Sequence, residues 1–168
     1  MAWQNEMTLV VRSLIDDYDD GVNATIYTDD RLESTILISA QLVVFDVAFS
    51  KTYTIDVDTC VLTPDPTAAT KDNAFINLVS LKTACIILGG EAKAAATGAM
   101  KVKDGGRFGV SEIDTGQAFT ALNERAKQSC KDYQDARTQY QAGDGAAGEA
   151  IIGPYTTEAS RPYPGNFS

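Results

Sequence analysis

The sequence predicts a mainly α fold: a helical bundle around a buried central helix, with a short strand, a β-hairpin insertion and an extended C-terminal arm. Three observations carry that expectation. Residues 72–90, DNAFINLVSLKTACIILGG, are apolar almost all round a helix and leave only a narrow stripe of Asn73, Asn77 and Ser80, the pattern of a helix with neighbours on every side. Long segments before and after it repeat apolar residues at intervals of three and four, as packing helices do. From Gly143 onward the period is lost, and Gly, Pro and spaced aromatic residues take over. A helical domain over 1–142 and a Gly-rich linker with arm over 143–168 follow from these patterns.

Taken in order, residues 6–18 place Met7, Val10, Val11, Leu14 and Ile15 at helical spacing, with Asn5 as a cap. The loop 16–23, DDYDDGVN, carries Asp16, Asp20 and Gly21 at the first, fifth and sixth places of a calcium-binding EF-hand loop. Tyr18 and Tyr27 stand where the third ligand and the closing Glu belong, so the loop is expected to be acidic, solvated and without metal. Thr28, followed by Asp29 and Asp30, reads as an N-cap with negative charge against the helix dipole. In the helix that follows, Leu32, Ile36, Ala40, Val43 and Val47 form one stripe and Ile38, Leu42, Phe45 and Phe49 a second, which predicts burial over a wide face.

Residues 51–58 change to a period of two, with Tyr53, Ile55 and Val57 inward and Thr54, Asp56 and Asp58 outward: a half-buried strand. The Asp56-Val57-Asp58 phrase is similar to the acidic pair of nucleotide-sugar enzymes, but simple alternation puts both carboxylates on the wet face. TPDPTAA at 63–69 is a proline-stiffened connection. Asp72 is the expected N-cap of the central helix, and Gly89 and Gly90 its expected stop. Asn77, Ser80, Lys82 and Thr83 interrupt the apolar run, which argues against a membrane span.

Residues 91–97 read as an Ala-rich helical turn or two, and 100–113 as a β-hairpin turning at 103–107. There Met100 and Val102 pair in pattern with Phe108 and Val110, while Lys101, Lys103 and Arg107 gather opposite as a basic contact face for a nucleic-acid backbone or an acidic neighbour, or simply as a solvated face. The last helix runs from Thr115 to about Gln141. Its seam of Phe119, Leu122, Ala126, Ser129, Tyr133, Ala136 and Tyr140 suits packing on the core or on a neighbouring subunit. Gly143 and Gly148 are expected to end it. Beyond lie Ile151, Ile152, Pro154, Tyr155, Tyr163 and Phe167, in a segment that reads either as a disordered terminus or, the favoured reading given its aromatic residues and Ile-Ile pair, as an arm that docks on a partner.

Composition narrows the function. With a net charge of −9 and pI near 4.4 over 168 residues, a broad phosphate-binding surface is not expected. The chain has no histidine, which removes Ser-His-Asp and Cys-His catalysis and the His-containing zinc sites together. No carboxylate pair is marked for acid–base work, so neither an enzyme nor a cofactor is expected. Cys60, Cys85 and Cys130 are odd in number and set among apolar neighbours, which suggests buried, reduced thiols and a reducing compartment. The start of the chain has no basic-then-apolar signal, in keeping with a cytosolic or particle-bound protein.

The order of helix, YTDDRLE helix start, TYTIDV strand, FINLVSLKTACIILGG helix, long final helix and Ile152-Gly153-Pro154-Tyr155 resembles the head-to-tail adaptor (connector, head-completion) proteins of tailed bacteriophages, over residues 6–142 plus that last phrase. The resemblance implies a homo-oligomer, commonly a dodecameric ring, in the virion neck beneath the portal protein. DNA would pass through its lumen without specific binding. It further implies subunit contacts along the final helix and docking of the arm on the portal or on another neck or tail protein. Acidic charge would then keep DNA from adhering. The alternative is a small acidic nucleic-acid mimic that inhibits a DNA-binding partner, although Asp and Glu here are interspersed with Lys and Arg.

Overall fold

The computed structural model describes residues 2–18, 24–68, 70–103 and 115–159. It is mainly α, with helices α1 (Ala2–Ile15), α2 (Asp29–Asp46), α3 (Asn73–Lys103) and α4 (Thr115–Ala159), and a small antiparallel pair β1 (Thr54–Asp56) and β2 (Val61–Thr63). α3 is the hub: α1, α2 and α4 all pack on it. Phe75, Val79 and Thr83 on α3 meet Met7 and Val11 of α1 and Leu32, Ile36, Leu37 and Val43 of α2 in a core where each is essentially inaccessible to solvent. Burial of such side chains is worth about 1.5–3 kcal/mol each.

α1 starts at Ala2, a turn earlier than its apolar pattern from Met7 suggests, because Trp3 extends the buried stripe Met7, Val11, Ile15 by one more step of four. Asn5 is therefore inside the helix and exposed, and Leu14 is turned outward. Of the acidic loop after α1, Asp16 is exposed and takes a positive φ of 62°. Asp17 is not solvated. It is buried, receives Arg12, and accepts the amides of Ile26 and Tyr27 at 2.6 and 3.3 Å. Arg12 also donates to the Tyr27 carbonyl at 2.8 Å and to Asp29 at 2.7 Å, so one guanidinium closes the connection between α1 and α2. Asp20, Gly21 and the rest of 19–23 lie outside the described residues.

Thr28 caps α2 as expected, its hydroxyl accepting from the Arg31 amide at 3.4 Å, with Asp29 and Asp30 in the first turn. The stripe Leu32, Ile36, Ala40, Val43, Val47 is buried. The second stripe is not: Ile38, Leu42 and Phe45 face solvent, and only Phe49, beyond the helix, packs on the core. α3, α1 and β1 pack on α2, and none of the described elements covers the face that bears Ile38, Leu42 and Phe45.

Tyr53, Ile55 and Val57 turn toward the core and Thr54, Asp56 and Asp58 toward water, as the alternation predicts. Asp56 folds the turn back by accepting from the amides of Asp58 (3.0 Å) and Thr59 (3.2 Å); the Thr59 hydroxyl first, and these amides after it, hold its carboxyl below the usual range. Val61, Leu62 and Thr63 pair with β1 in the register Thr54↔Thr63, Ile55↔Leu62, Asp56↔Val61. This hairpin before α3 gives the expected strand a partner that the sequence pattern does not display; the hairpin expected at 100–113 is corrected only over its first residues. Residues 100–103 continue α3, and 104–113, including Arg107, are outside the described residues. The physical reason is that Gly89 and Gly90 keep helical backbone with no positive φ, and the Ala-rich run after them carries the helix onward. Glycine permits a helix to stop but costs an interior position only about 1 kcal/mol.

Asp72 caps α3, accepting from the Phe75 amide at 3.1 Å. The stretch Asn73–Thr97 is long and apolar enough, by length and composition, to cross a membrane, so its polar interruptions exclude less than the sequence suggests. Half of its most apolar window is buried against the other helices.

α4 lies antiparallel along α3, with Tyr133 near Lys82 and Cys130 bonded to Cys85. That disulfide corrects the expectation of three reduced thiols. Two residues in the middle of facing helices, 45 apart in sequence, come within 4.6 Å between Cα atoms, a relation that neither helix pattern displays on its own. Cys60 is the remaining free cysteine. α4 is not ended at 143–148 but runs to Ala159, with Gly143 again at ordinary helical φ. The extended arm is thus corrected over its first part: Ile151, Ile152, Pro154 and Tyr155 lie on helical backbone, while Tyr163 and Phe167 are outside the described residues.

Candidate assembly surface

Three tyrosines tie the helices into one body. Tyr27, ahead of α2, donates to Glu91 of α3 at 2.5 Å. Tyr53, ahead of β1, donates to the capping Asp72 at 2.7 Å, and Tyr133 of α4 to Asp46 at the end of α2 at 2.9 Å. All three rings are buried. Burial first, and the carboxylate partner second, push the phenols of Tyr27 and Tyr133 up to about 12, and raise that of Tyr53 still further. Arg137 and Gln141 add contacts to the Asp46 side chain and carbonyl at 3.6 and 3.2 Å. Phe49, Tyr53, Phe75 and Tyr140 stack beside them, with Tyr53 and Phe75 at 3.8 Å between centroids. These contacts fix how the helix surfaces are held relative to one another.

Part of the α4 seam packs inside the chain. Ala126 and Tyr133 are buried, Tyr140 packs on Phe49, and Phe119 and Ala126 line an open groove of about 340 Å³ against Gly89, Ala92 and Ala96 of α3, with Lys93 and Lys127 at its edge. Leu122 is half-buried on the same helix. Ala126, Tyr133 and Tyr140 thus pack on the core, while Phe119 stays at the open groove. Lys101 and Lys103 sit on the last turn of α3 instead of on a hairpin, and Arg107 lies outside the described residues.

The unclaimed surface is on α2. Phe45 is 90% exposed, Ile38 45% and Leu42 44%, at positions one and two turns apart on one helix face, with Val44 beside them. These side chains form an exposed apolar face on α2. The sequence holds the signal in full, since the second stripe is plain; what it lacks is the fact that no described element covers it. Among the described residues no group of three or more His, Cys, Asp or Glu side chains is placed to hold a metal ion. Comparison with protein-family models, curated proteins and solved structures returns no match.

Proposed function

We propose that this chain is a structural virion protein: a subunit of an oligomeric ring in the neck of a tailed bacteriophage, joining the portal to the tail and letting DNA pass through its lumen. The observation that supports it most is the exposed Ile38, Leu42, Phe45 face on a helical body whose other apolar stripes are packed and tied by buried tyrosines. An apolar patch of this kind is often where a partner docks. The arrangement of elements, similar to that of the adaptor proteins, supplies the kind of assembly, and the net charge of −9 suits a lumen that must not hold DNA.

The test is the mass of the full chain, alone and mixed with its cognate portal, by native mass spectrometry, beside a variant truncated after Ala142. A ring-sized species on the portal, dodecameric in the simplest case, is the expected outcome. A persistent monomer without portal affinity sinks the proposal; self-association alone does not establish it, because an adaptor can await the portal as a monomer.

A further inference from the structure

We infer that the α2 face receives the segment 160–168 of a second copy of this chain, with Tyr163 and Phe167 seated along Ile38, Leu42 and Phe45. The inference deepens the assembly reading above and rests on it. Three observations select this occupant.

The first is size. The exposed faces of Ile38, Leu42, Val44 and Phe45 amount to a few hundred Å², whereas each partner of a stable globular complex contributes about 800 Å². The patch is the footprint of a peptide rather than of a whole domain face. Ile38 to Phe45 spans about 10 Å along a helix rising 1.5 Å per residue. Tyr163, flanked by Pro162 and Pro164, and Phe167 four residues on would span about 12 Å in an extended path of 3.1 Å per residue.

The second is charge. The first turns of α2 carry Asp29, Asp30 and Glu33, with the Asp29 side chain 71% exposed even while paired to Arg12. Two α2 faces brought together would oppose these acids. SRPYPGNFS at 160–168 has no carboxylate side chain and carries Arg161, two residues beyond the end of α4 that would bring it in.

The third is reach, and it selects a second copy over the same chain. Gln141 touches Asp46, the residue next to Phe45, so at that point α4 lies beside the end of α2. From Gln141 the helix runs on to Ala159, which carries its end about 27 Å away. Beyond Ala159 a fully extended chain returns Tyr163 by about 14 Å and Phe167 by about 28 Å. One tail therefore cannot lay both rings on its own α2. Exchange of tails in one direction from copy to copy is a heterologous contact, the kind that closes into a ring.

Full-length chains carrying Cys60→Ser test this, one copy with Gln41→Cys on the exposed face of α2 and an isotope-labelled copy with Asn166→Cys beside Phe167. Both substitutions leave the apolar anchors intact. Mild oxidation of the mixture is expected to give the mixed disulfide at least fivefold over a control pair in which Leu9→Cys, exposed on α1, replaces Gln41→Cys. Adding Phe45→Ser to the α2 partner should lower the yield about tenfold without changing the thermal melt, because Phe45 makes little contact in the fold. Equal cross-linking to both helices, indifference to Phe45→Ser, or an internal bridge in a dilute Gln41→Cys/Asn166→Cys chain each overturns the inference. Portal binding is scored separately. Cross-linking without portal affinity removes the neck reading alone, and a portal-bound ring without the cross-link removes tail docking alone.

Discussion

Asp72 serves two structures at once. One oxygen caps α3 and the other receives the Tyr53 hydroxyl, so the two possible substitutions are not equivalent. Tyr53→Phe removes one hydrogen bond and should cost about 1 kcal/mol. Asp72→Ala loses the cap as well and strands a buried phenol, for a total of about 2–4 kcal/mol by urea unfolding. A difference in the opposite order would mean that the cap is idle. The tyrosines also predict an alkaline limit. For Tyr27 and Tyr133 the folded pKa lies near 12 against an unfolded value near 10, so the stability they contribute is whole below pH 10 and is lost as pH rises through 12. Tyrosinate absorbance should show late ionisation of three of the seven tyrosines, in step with falling urea midpoints above pH 10. The caps Thr28 and Asp72 are legible in sequence because they are local. The Arg12 clasp is not, because Arg12 reaches partners 5, 15 and 17 residues away that only the folded loop assembles.

At the scale of elements, α2, α3 and α4 were all legible from periodicity, and the errors fall at their ends and on their outer faces. Periodicity reports which residues share a face; it does not report whether another helix arrives to cover that face, which is why the second stripe of α2 reads as buried and is exposed. Glycine misleads in the same way at 89–90 and 143–148, since its freedom is used only where the surroundings call for a turn. β2 is three residues long, too short for any alternation to stand out. The disulfide between α3 and α4 has a direct check. Unfolded without reductant, the chain should offer one alkylatable thiol, that of Cys60, and after reduction all three. Closing a loop of 45 residues is worth about 4 kcal/mol in the chain-entropy model, so Cys85→Ser/Cys130→Ser should lower stability by about 2–4 kcal/mol. Three thiols without reduction would return the cysteines to the reduced state expected from sequence.

For the whole molecule, the acidic balance and the apolar α3 lead to separate expectations. With a net charge of −9 the protein should show no retention on immobilised duplex DNA at physiological salt, and measurable retention would argue against a lumen lining. The Asn73–Thr97 stretch passes the length and hydropathy test for a membrane span, yet the neck reading requires it to stay inside the bundle. Flotation with lipid vesicles should leave the folded chain in the soluble fraction, and co-flotation would contradict a virion neck. The antiparallel clamp between α3 and α4 has a mechanical consequence. Tension applied to the outer end of α4 passes to α2 through Tyr133, Arg137 and Gln141 at Asp46, and to α3 through the Cys85–Cys130 bond, before it loads residues 104–114. A subunit pulled at its tail would thus yield as a locked pair of helices, and in an optical trap its fully stretched contour should be shorter by about 150 Å when oxidised than when reduced.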